Sequence, residues 1–244
     1  TQYRIYGDGI YVGDNPLGPF EYMEDNPFSF KPGGFIGGAG HGHTFQDKYG
    51  NYWHVASMTI SVRHSFERRL GLFPVAISAR NGMYAHTAWS DYPFYIPDKK
   101  VDFNKTDLSM GWNLLSYRKP VQASSSLAGY EPGNANDEQI ETWWAAQTGK
   151  KGEWLQVDLE TPMLVNSIHV NFADHHFKVF APHPPVVYQF FIEGSADGKK
   201  WMNLFDEREN GKDEPHRLFT LDKPVKVRYL RICNAKEMDG CFSL

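Results

Sequence analysis

A two-residue hydrophobic alternation, repeated along the second half of the chain, constrains the fold more than any other feature. Leu155, Val157 and Leu159 alternate with Gln156 and Asp158. Ile168, Val170 and Phe172 alternate with His169 and Asn171, and Tyr188, Phe190 and Ile192 keep the same period. Successive side chains of a strand point to opposite faces, so each run predicts a half-buried β-strand. Near Tyr229 and Leu230 the alternation begun by Val225 and Val227 slips by one residue, which predicts a β-bulge. Turn chemistry punctuates the runs: Asp47 to Asn51 carries Gly50, and Asp197-Gly198 stands between Ile192 and Trp201. The best helical candidate is short, one or two turns between Asp137 and Ala146. The expected fold class is all-β.

With 244 residues, 41% hydrophobic and 22% charged, the chain suits one large domain or two of ordinary size. Its net charge of -4 supplies no basic stripe for nucleic acid or an anionic membrane, and both are set aside as partners. No apolar run approaches the roughly 20 residues needed to span a bilayer. Aromatics reach 15%, beside 22 Gly and 15 Pro, a composition shared by short strands joined by tight turns and by sugar-binding surfaces. The polar run Asp98 to Asp102, leading into Asn104 to Asp107, reads as a connector over 98–111 between domains 1–97 and 112–244. Cys233 and Cys241 flank a turn-rich loop and admit two readings, a disulfide across a hairpin or a pair of buried free thiols.

Five ordered motifs in the second segment carry a resemblance. They are Lys119-Pro120-Val121-Gln122-Ala123-Ser124-Ser125; Asn134-Ala135-Asn136-Asp137 with Thr142-Trp143-Trp144; Glu153 to Leu159; Ile192 to Trp201; and Val227 to Ile232. From about Trp112 onward the chain resembles the discoidin, or coagulation factor 5/8 type C, family, which includes carbohydrate-binding modules of family 32. The resemblance implies a jelly-roll β-sandwich that binds sugars through loops at one end. It also implies calcium in a loop near the domain start, at Asp137 and Thr142 with a backbone carbonyl of Asn134, since carboxylate, hydroxyl and carbonyl oxygens are the ligands a hard cation takes. The alternative for these residues is local structure, Asp137 capping a short helix with Thr142 packed beside it. A further family ligand is expected in a last strand beyond Leu244.

The loop Ala173-Asp174-His175-His176-Phe177, followed by Phe180 and Pro182-His183-Pro184-Pro185, is unusually rich in rings. His175, His176 and Phe177 are its carbohydrate-binding candidates; packing against the neighbouring domain and a histidine metal site are the competing readings.

The first segment resembles the end of glycoside hydrolase family 43, whose catalytic domain is a five-bladed β-propeller. The stretches carrying this are Asp8 to Val12 with Asn15 to Phe20, Gly38 to His43 with Asp47 to Val55, and Arg68 to Val75. About two blades fit in 97 residues, so the fold expected is a partial propeller followed by the sandwich. His41 then matches a histidine facing the propeller axis, holding water or calcium, and Arg69 matches an arginine near the sugar pocket; both form an active-centre wall. The acid and base of an inverting glycosidase lie, in that family, in blades this chain does not carry. Glu21, Glu24 and Glu67 read as solvated charges, and the only Glu-Gly, Glu193-Gly194, falls inside a strand. No catalytic residue is expected in this chain.

The leading reading is a fragment of a β-xylosidase- or α-L-arabinofuranosidase-like enzyme with an accessory sugar-binding domain, inactive alone and partnered by missing blades of its parent. The resemblance places it in the periplasm or outside the cell, on poly- or oligosaccharides, with calcium the only cofactor expected. The alternative is a non-catalytic carbohydrate-binding or purely structural module.

Overall fold

A computed structural model describes residues 6–60, 68–78, 82–178 and 185–244. It is all-β, 43% strand and 4% helical. The chain divides into two compact units, one reaching Asn113 and the other spanning Leu114–Leu244.

In the first unit the short strands β1 (Gly7–Asp8), β2 (Tyr11–Val12), β3 (Glu21–Tyr22) and β4 (Ser29–Phe30) precede β5 (Gly37–Gln46), β6 (Tyr52–Thr59), β7 (Arg68–Ile77) and β8 (Met83–Ala85). The last four form an antiparallel meander in the order β5-β6-β7-β8, while β1-β4 and β2-β3 make two-stranded ribbons. The β5–β6 turn is closed by Asp47. Its carboxylate accepts the amides of Tyr49 (2.8 Å) and Asn51 (2.9 Å), the Asn51 amide side chain (3.0 Å) and the Trp53 indole N–H (2.9 Å), and Gly50 supplies the positive φ the turn needs.

Residues 98–111 are not a connector. Phe103 and Leu108 are buried with Trp53 and Ala76 in one apolar cluster. The Asn51 side chain also ties this segment down, donating to Lys99 O and accepting the Val101 amide. The expected boundary at 97 therefore moves to Asn113: two apolar side chains among charged neighbours suffice to anchor the segment.

In the second unit β9 (Val121–Ala123), β10 (Trp154–Asn171), β11 (Phe190–Ser195), β12 (Met202–Asp206) and β13 (His216–Asn234) form one sheet in the order β12-β11-β13-β10-β9. The alternating positions point as expected: Leu155, Leu159, Val170, Phe172, Tyr188, Phe190 and Ile192 are all buried. The core gathers around Trp144, Phe172, Tyr188, Phe190, Phe219 and Phe242. A bulge does fall beside Tyr229, but the extra residues are in β10. Asp158 pairs with Tyr229 and Met163 with Val227, leaving Leu159 to Pro162 opposite Arg228 alone. The Asp197-Gly198 turn joins β11 to β12, with Asp197 accepting the Lys199 and Lys200 amides.

No helix spans Asp137–Ala146. A single 3-10 turn lies just before it, over Pro132–Asn136, because Asp137 spends its side chain on the backbone two residues ahead, which competes with helix extension. The ends of the unit are zipped together. Trp144 N donates to Leu244 O and Leu244 N to Trp144 O, while Ala146 N donates to Phe242 O. Cys233 and Cys241 are both buried free thiols, which decides between the two cysteine readings. Burial, with Glu193 nearby, pushes the Cys233 thiol up to about 11.

Candidate functional site

The loops at one end of the second unit carry a stack of rings. Tyr130 leads into the 3-10 turn and Trp143 precedes the buried Trp144, whose own indole N–H is fixed to Ser125 O and Ser126 Oγ. The Tyr130 and Trp143 rings lie 5.2 Å apart, with His175 4.3 Å from Tyr130 and 5.9 Å from Trp143, and His176 4.0 Å from His175. Tyr130 and Trp143 are partly exposed and His176 is exposed.

His175, a carbohydrate-binding candidate of the sequence, is buried, 3% exposed. The indole N–H of Trp143 donates to its Nδ1 (3.2 Å), its amide donates to Ser243 Oγ (3.1 Å), and its carbonyl accepts the Cys241 amide (2.8 Å). These partners, distant in sequence, close over it. Phe177 is half-buried, its ring 6.3 Å from that of Tyr188, and the loop is anchored from below where the Tyr188 hydroxyl donates to the buried Asp174 carboxylate. His176 keeps an open ring face, with Cys241 Sγ 3.8 Å from Nδ1. Phe180 and Pro182 to Pro184 lie outside the described residues.

Glu153 fastens the neighbouring loops. Its carboxylate accepts the hydroxyls of Ser124, Ser125 (2.8 Å) and Thr148 (2.6 Å). Burial raises this carboxyl, but the hydroxyls outweigh it and hold the group below the usual range.

The three residues expected around calcium share one turn. Asp137 Oδ2 accepts the Thr142 hydroxyl (2.7 Å), Asp137 Oδ1 accepts the Gln139 amide (2.8 Å), and Asn134 Nδ2 donates to Trp143 O (3.3 Å). Asp137 follows the 3-10 turn as its C-terminal cap, so the local reading of this pair describes their bonding. The donor set is nonetheless all oxygen, as a hard cation requires.

In the first unit His41 and Arg69 sit on β5 and β7, with β6 between them, about two strand spacings or 10 Å apart. Both are exposed. Arg69 Nη1 donates to Arg68 O (3.0 Å). His41 occupies a bulged stretch of β5 with φ of 55°. Its amide and that of Gly42 donate to the Asp8 carboxylate (2.9 and 2.8 Å), and its Nδ1 lies 3.2 Å from the Tyr6 hydroxyl.

The interior histidine of this region is His54, which the sequence reading passed over. Its Nε2 lies 3.4 Å from Asp8 Oδ2 and its Nδ1 3.0 Å from Thr44 Oγ1. Burial pushes it below the ordinary histidine value, against the pull of Asp8. Gly42 is required beside it, since a Cβ there would stand 2.2 Å from His54 Nε2. Glu193, of the sole Glu-Gly pair, receives the Arg231 guanidinium (2.7 Å from Nε) and serves the sheet.

A profile of the F5/8 type C domain matches residues 120–243, wholly within the second unit. The mouse (Mus musculus) EGF-like repeat and discoidin I-like domain-containing protein 3 is 31% identical over 97 residues, 36% of this chain and 19% of the relative. The chain thus spans about a fifth of that curated relative. Among solved structures, chitosan-binding module 1 of a chitosanase/glucanase from Paenibacillus sp. IK-5 is similar at 22% identity and a TM-score of 0.45, over 55% of this chain and 95% of that one. Module 2 of the same enzyme, solved with chitotriose, is similar at 20% and 0.45, over 54% and 95%. The family 32 module of Clostridium perfringens NanJ, solved with galactose, is similar at 16% and 0.42, over 51% and 88%. With five ordered motifs, the strand pattern and a matched domain covering half its length, the chain belongs to the F5/8 type C, or discoidin, domain family.

Proposed function

We propose that the second unit binds carbohydrate at its ring-bearing loop end, with Trp143 and Tyr130 as the stacking surface and His176 as a polar contact. One observation carries this reading: two partly exposed aromatic rings packed on a buried histidine that also accepts the Trp143 indole N–H, in a domain of this family. An aromatic ring offers an apolar face to the C–H surface of a pyranose, while its polar neighbours supply direction. A ring already locked by a hydrogen bond loses little freedom on binding.

Calorimetry of the full chain with chitotriose and with galactose, the sugars held by the two solved modules, tests the proposal. Saturable binding to either, weakened at least tenfold by Trp143→Ala, supports it. Heat of dilution alone for both sugars and for a wider glycan array overturns it.

Calcium at Asp137 and Thr142 belongs to this reading. Bound there, it would stiffen the turn that leads into Trp143 by giving the carboxylate and hydroxyl oxygens a common partner. Raised thermal stability on adding Ca2+, absent in Asp137→Ala, is the expected result; equal melting with Ca2+ and with chelator removes calcium from the proposal.

A second reading, that the chain is the end of a larger glycosidase, draws on the β5-β6-β7-β8 meander, which has the strand number and order of one propeller blade. The chain alone is then inactive on nitrophenyl xylosides and arabinosides, and turnover by it would show that the acids are not missing.

A further inference from the structure

The β2–β3 ribbon exposes an apolar surface that nothing described above uses. Tyr11 is 63% exposed, Val12 53%, Phe20 55%, Tyr22 61% and Leu17, at the tip, 94%. Tyr11 and Tyr22 oppose each other on one face of the ribbon and Val12 lies on the other; together with the tip they expose on the order of 600 Å², the upper end of what a monomer leaves uncovered, beside the ~800 Å² that each partner gives to a stable interface.

This ribbon is built, not frayed. Asn15 accepts the Leu17 amide on its side chain (3.0 Å) and the Gly18 amide on its carbonyl (2.8 Å), which fixes the tip. Asn26 clamps the base, accepting the Ile10 amide and donating to Ile10 O, both at 2.7 Å. The Tyr11 and Tyr22 rings meet edge to face at 5.4 Å. Two strands by themselves are marginal in water, so a surface held this well is one that another surface can pack against.

The free edge suits a like edge. Among the described residues β2 pairs with β3 alone, and Gly9-Ile10-Tyr11-Val12-Gly13 carries neither charge nor proline, two of the devices that keep one strand edge from pairing with another. Beside the base lies an open hollow of ≈ 290 Å³ lined by Gly7, Asp8, Gly9, Tyr22, Asn26, Pro27 and Phe30. It has room for an aliphatic side chain and is smaller than most small-molecule sites. Two β2 strands laid antiparallel across a twofold axis bring each tip alongside the other's base, where that hollow is.

We propose that a second copy of this chain covers the β2–β3 ribbon, with β2 pairing to β2 and Leu17 of each copy seated in the hollow of the other. The arrangement is isologous: one knob and one socket per copy satisfy both halves of the interface.

Sedimentation velocity of the full chain over a wide concentration range is the test. A reversible monomer–dimer equilibrium is expected, with Leu17→Glu raising its dissociation constant about tenfold or more, as losing one well-buried leucine should. Val12→Lys, on the pairing edge, should do the same. Far-ultraviolet circular dichroism and melting should stay unchanged for both, since each side chain already faces solvent. A monomer at every concentration, a species that grows past two, or a dimer indifferent to both substitutions overturns the proposal.

Discussion

Trp143 donates its indole N–H to Nδ1 of His175 across 3.2 Å, and in accepting it the imidazole is set as the tautomer protonated on Nε2. The bond links a residue that faces outward to one that is buried, so orientation of the proposed stacking ring depends on a side chain that no ligand reaches.

Replacing His175 should therefore act on binding at a distance. His175→Ala leaves the Trp143 donor without its acceptor and empties the space between Tyr130 and His176. The expected loss is about 1–3 kcal/mol of unfolding free energy, read from urea denaturation. Sugar affinity should fall with it, while His176→Ala lowers affinity at unchanged stability.

Gly240 supports the same loop from beneath. A Cβ there would lie 2.4 Å from Phe177 Cδ2 and 2.6 Å from His175 O, so Gly240→Ala must displace the His175–Phe177 backbone. A cost of about 1–3 kcal/mol is expected. Gly133→Ala, whose Cβ meets nothing within 4 Å, is the matched control and should melt within a degree or so of wild type.

Lys31 and Asp91 form a buried ion pair at 2.6 Å, their side chains 8% and 6% exposed. Burial pushes the Asp91 carboxyl up, against the pull of Lys31. Lys31→Met should cost about 3–5 kcal/mol, because it strands a buried carboxylate. Adding Asp91→Asn removes that charge and keeps an acceptor for the Ile36 amide, which now binds Asp91 Oδ1 at 3.1 Å. The double variant should recover most of the loss, and a double-mutant cycle by chemical denaturation measures it.

Asp47 should make the first unit acid-sensitive. Burial raises its carboxyl, but hydrogen bonds from Trp53, Asn51 and Tyr49 prevail and lower it from 3.8 to about 2. A carboxyl depressed in the folded state stabilises above its unfolded value, and that contribution fades as pH falls from about 4 to about 2. The gap in melting temperature between wild type and Asp47→Ala should be full at pH 5 and narrow across that window; a gap constant with pH would show that the carboxylate's charge is not involved.

The strands were legible because their signal is local. Leu155, Val157 and Leu159 announce a buried face by spacing alone, and Asp47 with Gly50, or Asp197 with Gly198, announces a turn by chemistry confined to four residues. What escaped depends on partners far along the chain. The loop at His175 reads as exposed until Trp143, 32 residues before it, and Ser243, 68 residues after it, are seen to close over it. Phe103 and Leu108 are too sparse among charged neighbours to mark a core segment, and only their contact with Trp53 and Ala76 reveals one. Tyr130 is hidden for the same reason, although its place two residues before the Pro132–Asn136 turn, with Trp143 downstream, is a usable cue. Asp137 and Thr142 lie five residues apart, close enough for the hydroxyl to reach the carboxylate within one turn.

The reciprocal bonds between Trp144 and Leu244 reach further than packing. They join positions 100 residues apart, and Phe242, wholly buried, fills the core between them. During synthesis the strands from β9 to β13 leave the ribosome before their closing segment does. Until residues 242–244 emerge, Trp144 and Phe172 lack their neighbour and stay open to water. Closure of this unit therefore waits on residues 242–244, and until they emerge the nascent sandwich is an unsealed sheet in need of shelter from other chains.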